Sequence, residues 1–367
     1  MTLLLFILIL SLLVFVHELG HFLAARRFGI GVLEFGFGFP PRLRGWRRGQ
    51  TLWSINLIPF GGFVRLEGET DRQSSSPTSF AQASWAKKFV ILAAGVLMNY
   101  VLAWLLLSIV LSVGVTVDPT TIGRDSYQRL TQRRLEAFVS PGGSAAAAGL
   151  RSGDTIESIN GQTFVSTDSL IAYARSQDYP PLTIVFRPAS GPSRTAMINP
   201  RAASGTDRPL YGFGLQSLAT IRYPWYVTPF FGLKQTLSLT NQTWKGIAQL
   251  ARELVVSGRV SQDLTGPVGI AVLIGEIRQL GLLAVLQFVA ILSISLAVIN
   301  FLPLPALDGG RAVFAVVEQI RGRPLSSRWE QAIHAAGFYL ILLLLIIISI
   351  HDAQRFNLFQ RLFRLDQ

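Results

Sequence analysis

Long apolar runs are the dominant pattern in the chain, and they predict helices that cross a membrane. Each of four runs reaches the roughly 17–25 residues that a helix needs to span the hydrocarbon core of a bilayer. The predicted spans are 2–25, 89–115, 282–302 and 332–350. The first run has no basic n-region and no small-residue cleavage site, so we expect a retained span rather than a signal peptide.

A β-hairpin region is predicted between the first two spans, within residues 32–64. Alternating and aromatic-rich runs at 32–39 and 51–58 flank a turn rich in proline, glycine and arginine, which is typical of a hairpin. The aromatic side chains resemble those that gather at membrane interfaces. We therefore expect the hairpin to be associated with the membrane and to lie beside a site, because non-helical backbone at that depth is tolerated where it lines a cavity.

The remaining segments predict one small domain and two membrane-surface elements. Turn and strand signals in 125–220 indicate a mixed α/β domain, with the order strand, short helix, strand, helix, strand. Apolar residues at helical spacing in 225–281 indicate an amphipathic segment on the membrane surface, and the basic tail 351–367 has a similar character. The predicted fold is thus a multi-pass α-helical membrane protein, with a first membrane half at 1–115 and a second at 282–350.

Composition and charge place this fold relative to the membrane. Half of the residues are hydrophobic and only 15% are charged, against about a quarter charged in soluble domains. The net charge is +12, but ten Lys and Arg residues are concentrated in 26–88, against sixteen in the much longer 116–281. The positive-inside rule places the first loop in the cytoplasm and the α/β domain outside, and this distribution argues against nucleic acid as a partner. The chain contains no cysteine, which excludes disulfides and thiol chemistry.

The motif His-Glu-Leu-Gly-His lies inside the first apolar run. On a helix, His17 and His21 are one turn apart on the same face, the spacing of zinc ligands, and Glu18 can act on a zinc-bound water. Polar groups at membrane depth are expensive and indicate function. The alternative is a helix end whose polar residues meet lipid headgroups. We predict a Zn²⁺ site near the cytoplasmic side.

A third ligand is needed. Asp118 and His351 follow spans two and four on the outer side and are too far away, so two candidates remain. Asp308 follows the third span, where Pro303 and Pro305 interrupt the helix at a depth at which broken backbone lines cavities. His334 stands at the start of the fourth span. Asp308 could also be a simple helix N-cap, so the residues alone favour it without excluding His334.

These motifs resemble those of the site-2 family of intramembrane zinc metalloproteases, in a bacterial form with a single PDZ-like domain. The first-span HELGH and the third-span NFLPLPALDGG match the paired motifs of that family. EFGFGFPPRL and INLIPFGGFV resemble its membrane-associated β region, AAGVLMNY its Gly-x-x-x-Asn motif, and TGPVGI the segment before its third span. Val96 stands where many relatives have proline.

The resemblance implies a role for each matching residue. His17, His21 and Asp308 would bind zinc, and Glu18 would be the general acid/base. Asn300 would contact the substrate backbone, and Asn99 would lie close to the metal centre and the substrate.

The block at 133–215 is similar to a bacterial PDZ domain, and two functions are open for it. Residues Tyr211, Gly212, Phe213 and Gly214 resemble the loop that binds a C-terminal carboxylate through backbone amides. The other interpretation is a bulky lid that excludes substrates with large outer domains.

The function implied is hydrolysis of peptide bonds within or near transmembrane segments in a bacterial inner membrane. The expected substrates are transmembrane proteins such as anti-sigma-factor-like regulators, and signal-peptide remnants. An extended substrate could pair with an edge of the 32–64 hairpin. The alternative from another class is a non-proteolytic membrane scaffold or a metal transporter.

Overall fold

The computed structural model describes residues 1–69, 76–117, 129–140, 142–164, 166–188, 191–202, 209–257, 265–323 and 325–356. These residues form two compact units, Met1–Val110 with Pro229–Gln367, and Leu111–Thr228. The helices are α1 (Thr2–Arg27), α2 (Trp85–Val113), α3 (Ser144–Ala147), α4 (Thr167–Ser176), α5 (Thr228–Ser257), α6 (Pro267–Ile277), α7 (Leu282–Phe301), α8 (Asp308–Arg321) and α9 (Ser327–Arg355). The strands are β1 (Val32–Arg48), β2 (Thr51–Leu66), β3 (Val115–Val117), β4 (Arg129–Val139), β5 (Thr155–Ile159), β6 (Leu182–Arg187), β7 (Arg194–Ile198), β8 (Arg201–Ala202), β9 (Pro209–Leu210) and β10 (Phe213–Arg222).

Four helices among the described residues are long and apolar enough to cross a membrane, as predicted: α1, α2, α7 and α9. The predicted end of the second span at Val115 is wrong, because Gly114 adopts a φ of +129° and Val115 already belongs to β3. The fourth helix is longer than predicted at both ends. It includes the start of the predicted tail, of which residues 357–367 lie outside the described part.

The hairpin has longer strands than the sequence predicts. The segment rich in proline, glycine and arginine continues β1 to Arg48, and the chain reverses at Gly49 and Gln50. Both strands bend back on themselves, so that Phe35 lies opposite both Trp53 and Val64. The second half of β2, residues 62–66, pairs with the first half of β1 along one edge only. The prediction of a turn at 40–50 was therefore wrong over most of that segment.

The membrane unit is held together by three apolar clusters. The first joins α1, α6 and α7 around Ile9, Ile274 and Val289. The second joins α2 to α7 around Ala103 and Ile294, both fully buried. The third packs the end of α1 and the start of α2 against the hairpin, and its buried members are Phe22, Ala25, Ile30, Val32, Phe35, Leu66 and Ile91.

Glycines allow α1 and α2 to approach closely at the HELGH motif. A Cβ atom on Gly20 would lie 2.7 Å from the carbonyl carbon of Ala94, and one on Gly95 would lie 2.8 Å from Cε1 of His17. Real Cβ atoms do not make such contacts with backbone or ring atoms. The glycine of the Gly-x-x-x-Asn motif thus makes room for the histidines.

The second unit is built on a six-stranded sheet in the order β3-β10-β4-β5-β6-β7. Asn160 and Gly161 both have positive φ at the turn that follows β5, as expected for a tight Asn-Gly turn. Ser166 and Ser169 form a capping box at the start of α4. The elements from β4 to β6 follow the order predicted from the sequence, and their inward side chains form one core.

The segment 225–281 differs from the single amphipathic surface element that was predicted. It contains α5 and a separate apolar helix, α6, which packs against α1 and α9 within the membrane unit. The side chain of Asp352, at the end of α9, accepts hydrogen bonds from the backbone N–H groups of Gly266 (2.9 Å) and Gly269 (2.8 Å). A buried carboxylate at its N-terminus therefore anchors α6.

Candidate metal centre

The two histidines of α1 direct their Nε2 atoms to the same point. His17 and His21 are four residues apart, so they lie on one helix face, and both are buried. Their Nε2 atoms are 3.1 Å apart. Two imidazole nitrogens are thus available to a shared ion inside the helix bundle.

Asp308 completes a group of three metal-binding side chains. It is the first residue of α8, and its Oδ2 lies 2.8 Å from Nε2 of His17 and 3.2 Å from Nε2 of His21. The Gly-Gly pair that follows allows this approach, because a Cβ on Gly309 would lie 2.6 Å from the carbonyl carbon of Phe301. Close packing of α8 on the end of α7 brings Asp308 to the histidines across nearly the whole length of the chain.

The donor set fits zinc. Tetrahedral Zn²⁺ with bonds of about 2.0–2.1 Å requires ligand atoms roughly 3.3 Å apart. The observed separations are 2.8, 3.1 and 3.2 Å, so the three atoms need to move apart only slightly to hold the ion. Two imidazole nitrogens and one carboxyl oxygen are donors of the kinds that zinc takes in proteins. Among the described residues, His17, His21 and Asp308 form the group suited to an ion, and it includes neither His334 nor His351. Asp118 lies outside the described residues.

The second nitrogen of each imidazole is also held. Nδ1 of His21 is 2.8 Å from the backbone oxygen of Ile91, and Nδ1 of His17 is 3.4 Å from the side-chain amide of Asn99. Asn99 is fully buried, and its Oδ1 has no hydrogen-bond partner in the present side-chain orientation. Rotating this amide by 180° would let Oδ1 accept the Nδ1–H of His17, which would leave Nε2 free for the metal.

Glu18 contacts the hairpin rather than the helices. Its Oε2 accepts a hydrogen bond of 3.0 Å from the backbone N–H of Val64, in the second half of β2. Glu18, His21, Val64 and Asp308 line one cavity of about 240 Å³. A carboxylate, two metal-binding side chains and a strand edge therefore line the same cavity.

His334 has a different role from the one considered in the sequence. Its Nδ1 accepts a hydrogen bond of 2.9 Å from the backbone N–H of Ala306. Ala306 has a φ of +73°, which is costly for a residue with a Cβ atom. His334 thus helps to hold the strained turn two residues before Asp308. This contact was not predicted from the sequence, because no rule of residue spacing relates Ala306 to His334.

The remaining predicted site residues fall in both units. The Asn300 side-chain nitrogen is 3.4 Å from Nε2 of His17, so this residue is at the metal centre. Residues Tyr211, Gly212, Phe213 and Gly214 lie at the start of β10 in the second unit, where Gly212 has a φ of +77°. Their part in binding a peptide stays a prediction.

Comparison with known proteins identifies the family. The model of peptidase family M50 matches residues 5–344, which include the HELGH motif and Asp308. The chain belongs to peptidase family M50. The resemblance to the site-2 proteases is thereby confirmed.

Individual relatives match over nearly the whole chain. A protein of Agrobacterium fabrum is 31% identical over 376 residues, which cover 95% of this chain and 94% of that protein. Zinc metalloprotease RasP of Geobacillus kaustophilus is 28% identical, over 96% of this chain and 98% of the relative. Regulator of sigma-W protease RasP of Bacillus subtilis is 27% identical over the same shares.

Proposed function

We propose that this chain, a zinc metalloprotease of the site-2 type, cleaves peptide bonds within or near transmembrane segments of membrane proteins. The observation that carries the proposal is the meeting of His17, His21 and Asp308 among apolar helices. Two of these residues, His21 and Asp308, line the same cavity as Glu18. A proteolytic site at that depth is suited to a substrate that arrives through the bilayer. Membrane-bound regulators of the anti-sigma type and signal-peptide remnants are the substrate classes that we propose.

Glu18 is the proposed proton carrier of the reaction. Bound zinc supplies a Lewis acid that polarises the scissile carbonyl and acidifies a water molecule. Glu18 takes one proton from the attacking water and delivers it to the leaving amine, while the carbonyl carbon gains a C–O bond and loses its C–N bond. His17, His21 and Asp308 hold the metal, and the full burial of Asn99 supports orientation of His17 rather than direct contact with the substrate.

The second half of β2 is the proposed docking edge for an unwound substrate. The N–H of Val64 points away from β1 and is bonded to Glu18, so an extended peptide that replaces Glu18 at this N–H would lie directly beside the catalytic carboxylate. Strand addition supplies main-chain hydrogen bonds and tolerates varied side chains. Asn300, beside His17, is placed to bind a freed backbone group near the metal.

The proteolytic function is tested by Glu18→Gln in the purified chain, with a synthetic transmembrane peptide as substrate. Loss of the proton carrier is expected to slow cleavage by about 100-fold to 10,000-fold, while metal analysis finds the same zinc content. Glu67→Gln is the matched control, because it makes the same change on a residue whose Oε2 instead accepts a hydrogen bond from Thr78. Equal cleavage by Glu18→Gln and the parent would favour a scaffold or a transporter.

Strand pairing is tested on the substrate, which leaves the enzyme unchanged. Backbone N-methyl groups are placed one at a time along the peptide around the cut. Because every second residue of a strand directs its backbone groups to one side, cleavage should slow at alternate positions. Uniform tolerance of the N-methyl groups would reject the docking edge and leave the protease assignment intact.

A further inference from the structure

The free edge of β2 ends at a carboxylate. Glu69 follows the strand by three residues, and its Oε2 accepts a hydrogen bond of 3.2 Å from the backbone N–H of Leu66. The backbone N–H of Glu69 is bonded in turn to the carbonyl oxygen of Leu66. Both backbone groups of Leu66 that an added strand would use are therefore already taken by Glu69.

The direction of these groups follows from the strand itself. The N–H of Val64 reaches Glu18 and that of Leu66 reaches Glu69, whereas the N–H of Glu67 is bonded to Gly31 next to β1. Residues 64 and 66 thus present their backbone groups to the same side, as alternation along a strand requires. Glu18 and Glu69 occupy consecutive binding positions on one edge.

Arg311 holds Glu69 in this position. Its guanidinium forms an ion pair with Oε1 of Glu69, which leaves Oε2 for Leu66. Arg311 lies on α8, about one turn after Asp308, and both it and Glu69 line the cavity that contains Glu18. The carboxylate at the strand end is therefore fixed to the same short helix that provides a metal-binding residue.

We propose that Glu69, held by Arg311, ends the strand edge that is open to substrate and thereby determines which peptide bond is cut. Val64 and Leu66 are separated by about 6.6 Å along the strand. A substrate strand that replaces Glu18 at the N–H of Val64 meets Glu69 about two residues farther on, where the ion pair with Arg311 holds the carboxylate on Leu66. This stop sets the register of the substrate against Glu18, and it rests on the strand docking of the proposed function.

The test is the position of the cut in a synthetic transmembrane peptide, measured by mass spectrometry of the fragments. Glu69→Ala frees the N–H of Leu66 for pairing, although the backbone N–H of residue 69 stays on the carbonyl oxygen of Leu66. A second cut is therefore expected two residues from the first, because strand registers repeat every two residues. One net hydrogen bond corresponds to a redistribution of product by roughly twofold to tenfold. Arg311→Gln, which releases Glu69, is expected to produce the same second cut to a smaller extent.

Two controls separate this effect from general damage to the structure. Glu67→Ala removes the same charge two residues away without touching the open edge, and Lys88→Gln breaks the nearby Lys88–Glu318 ion pair of 3.7 Å. Both should cut at the original bond only. Zinc content and the melting temperature show whether each variant is folded.

The outcomes are distinct for each hypothesis. If folded Glu69→Ala and folded Arg311→Gln both cut only at the original bond, Glu69 does not end the open strand edge, even if both variants cut the peptide more slowly. If, in addition, N-methyl groups at every position of the substrate leave cleavage unchanged, the docking of the substrate as an added strand is rejected as well. Loss of zinc or folding in Glu69→Ala leaves Arg311→Gln to decide, and a single cut in that variant rejects the proposal.

Discussion

At the scale of single residues, the metal centre depends on contacts outside its three ligands. His17 and His21 are oriented through their second nitrogens by Asn99 and the backbone of Ile91. Such outer contacts fix the ring orientation and contribute to metal affinity. The turn before Asp308 needs similar support, because it contains a non-glycine residue with positive φ.

The support of that turn by His334 gives a prediction about metal affinity. His334→Ala removes the acceptor for the N–H of Ala306, and we expect zinc affinity to fall by about 10-fold to 100-fold. Competition with a chelator of known affinity measures the change.

A second substitution checks the proposed cause. Glycine tolerates positive φ without strain, so Ala306→Gly should restore part of the affinity lost in His334→Ala. Unchanged zinc binding in His334→Ala, or a double variant no better than the single one, would contradict this role of His334.

At the scale of elements, two helices are held by polar contacts in addition to their apolar packing. The N-terminus of α6 is bonded to Asp352, which is fully buried. The first residue of α4, Thr167, is bonded to the backbone of Leu215 in β10. Each contact lies within one unit and can be broken by a single substitution.

Removal of the Asp352 carboxylate should destabilise the membrane unit. Asp352→Ala leaves the N–H groups of Gly266 and Gly269 without this acceptor, and lost helix caps cost about 1–2 kcal/mol. Thermal unfolding in detergent measures the effect. His351→Ala, at the exposed neighbouring position, is the control and should unfold like the parent.

Thr167 occupies the backbone groups of Leu215 on the side of β10 where the predicted mode of peptide binding would add a strand. Its Oγ1 accepts the N–H of Leu215 at 2.6 Å and donates to the oxygen of the same residue at 2.7 Å. β10 pairs with β4 on its other side. Thr167→Val should open this edge, and binding of a labelled octapeptide with a free C-terminal carboxylate should tighten by about tenfold.

Fluorescence anisotropy on the full chain measures this binding, with Thr167→Ser as the variant that keeps the hydroxyl. The amidated peptide shows whether the carboxylate is recognised by the loop at 211–214. Equal affinity of the parent and Thr167→Val would show that Thr167 does not close the edge and would weaken the interpretation of this unit as a peptide-binding domain.

At the scale of the whole molecule, the prediction concerns the two sides of the membrane. The charge distribution predicts that the hairpin lies in the cytoplasm and that the unit Leu111–Thr228 lies outside. Because the chain has no cysteine, a thiol reagent can label only the cysteine that is introduced. Its labelling therefore shows on which side of the membrane that position lies. In intact spheroplasts, Ser176→Cys should react with a membrane-impermeant maleimide, and Gln50→Cys should react only after lysis. If Gln50→Cys reacts in intact spheroplasts and Ser176→Cys reacts only after lysis, the topology is the reverse of the predicted one.

The sequence by itself determined the membrane class, the approximate spans and half of the metal centre. Apolar runs of spanning length and an H-E-x-x-H motif on one helix are local signals, since hydrocarbon thickness and helical periodicity act on neighbouring residues. The choice between Asp308 and His334 was not local. It depended on how α8 packs against α7 and α1, and this packing assigns His334 to the Ala306 turn. Tertiary structure also decided the course of β1 through its prolines, the separation of α6 from α5, and the contacts of Glu18 and Glu69 with one strand edge. These features arise from residues far apart in the chain, whose meeting no periodicity or spacing encodes.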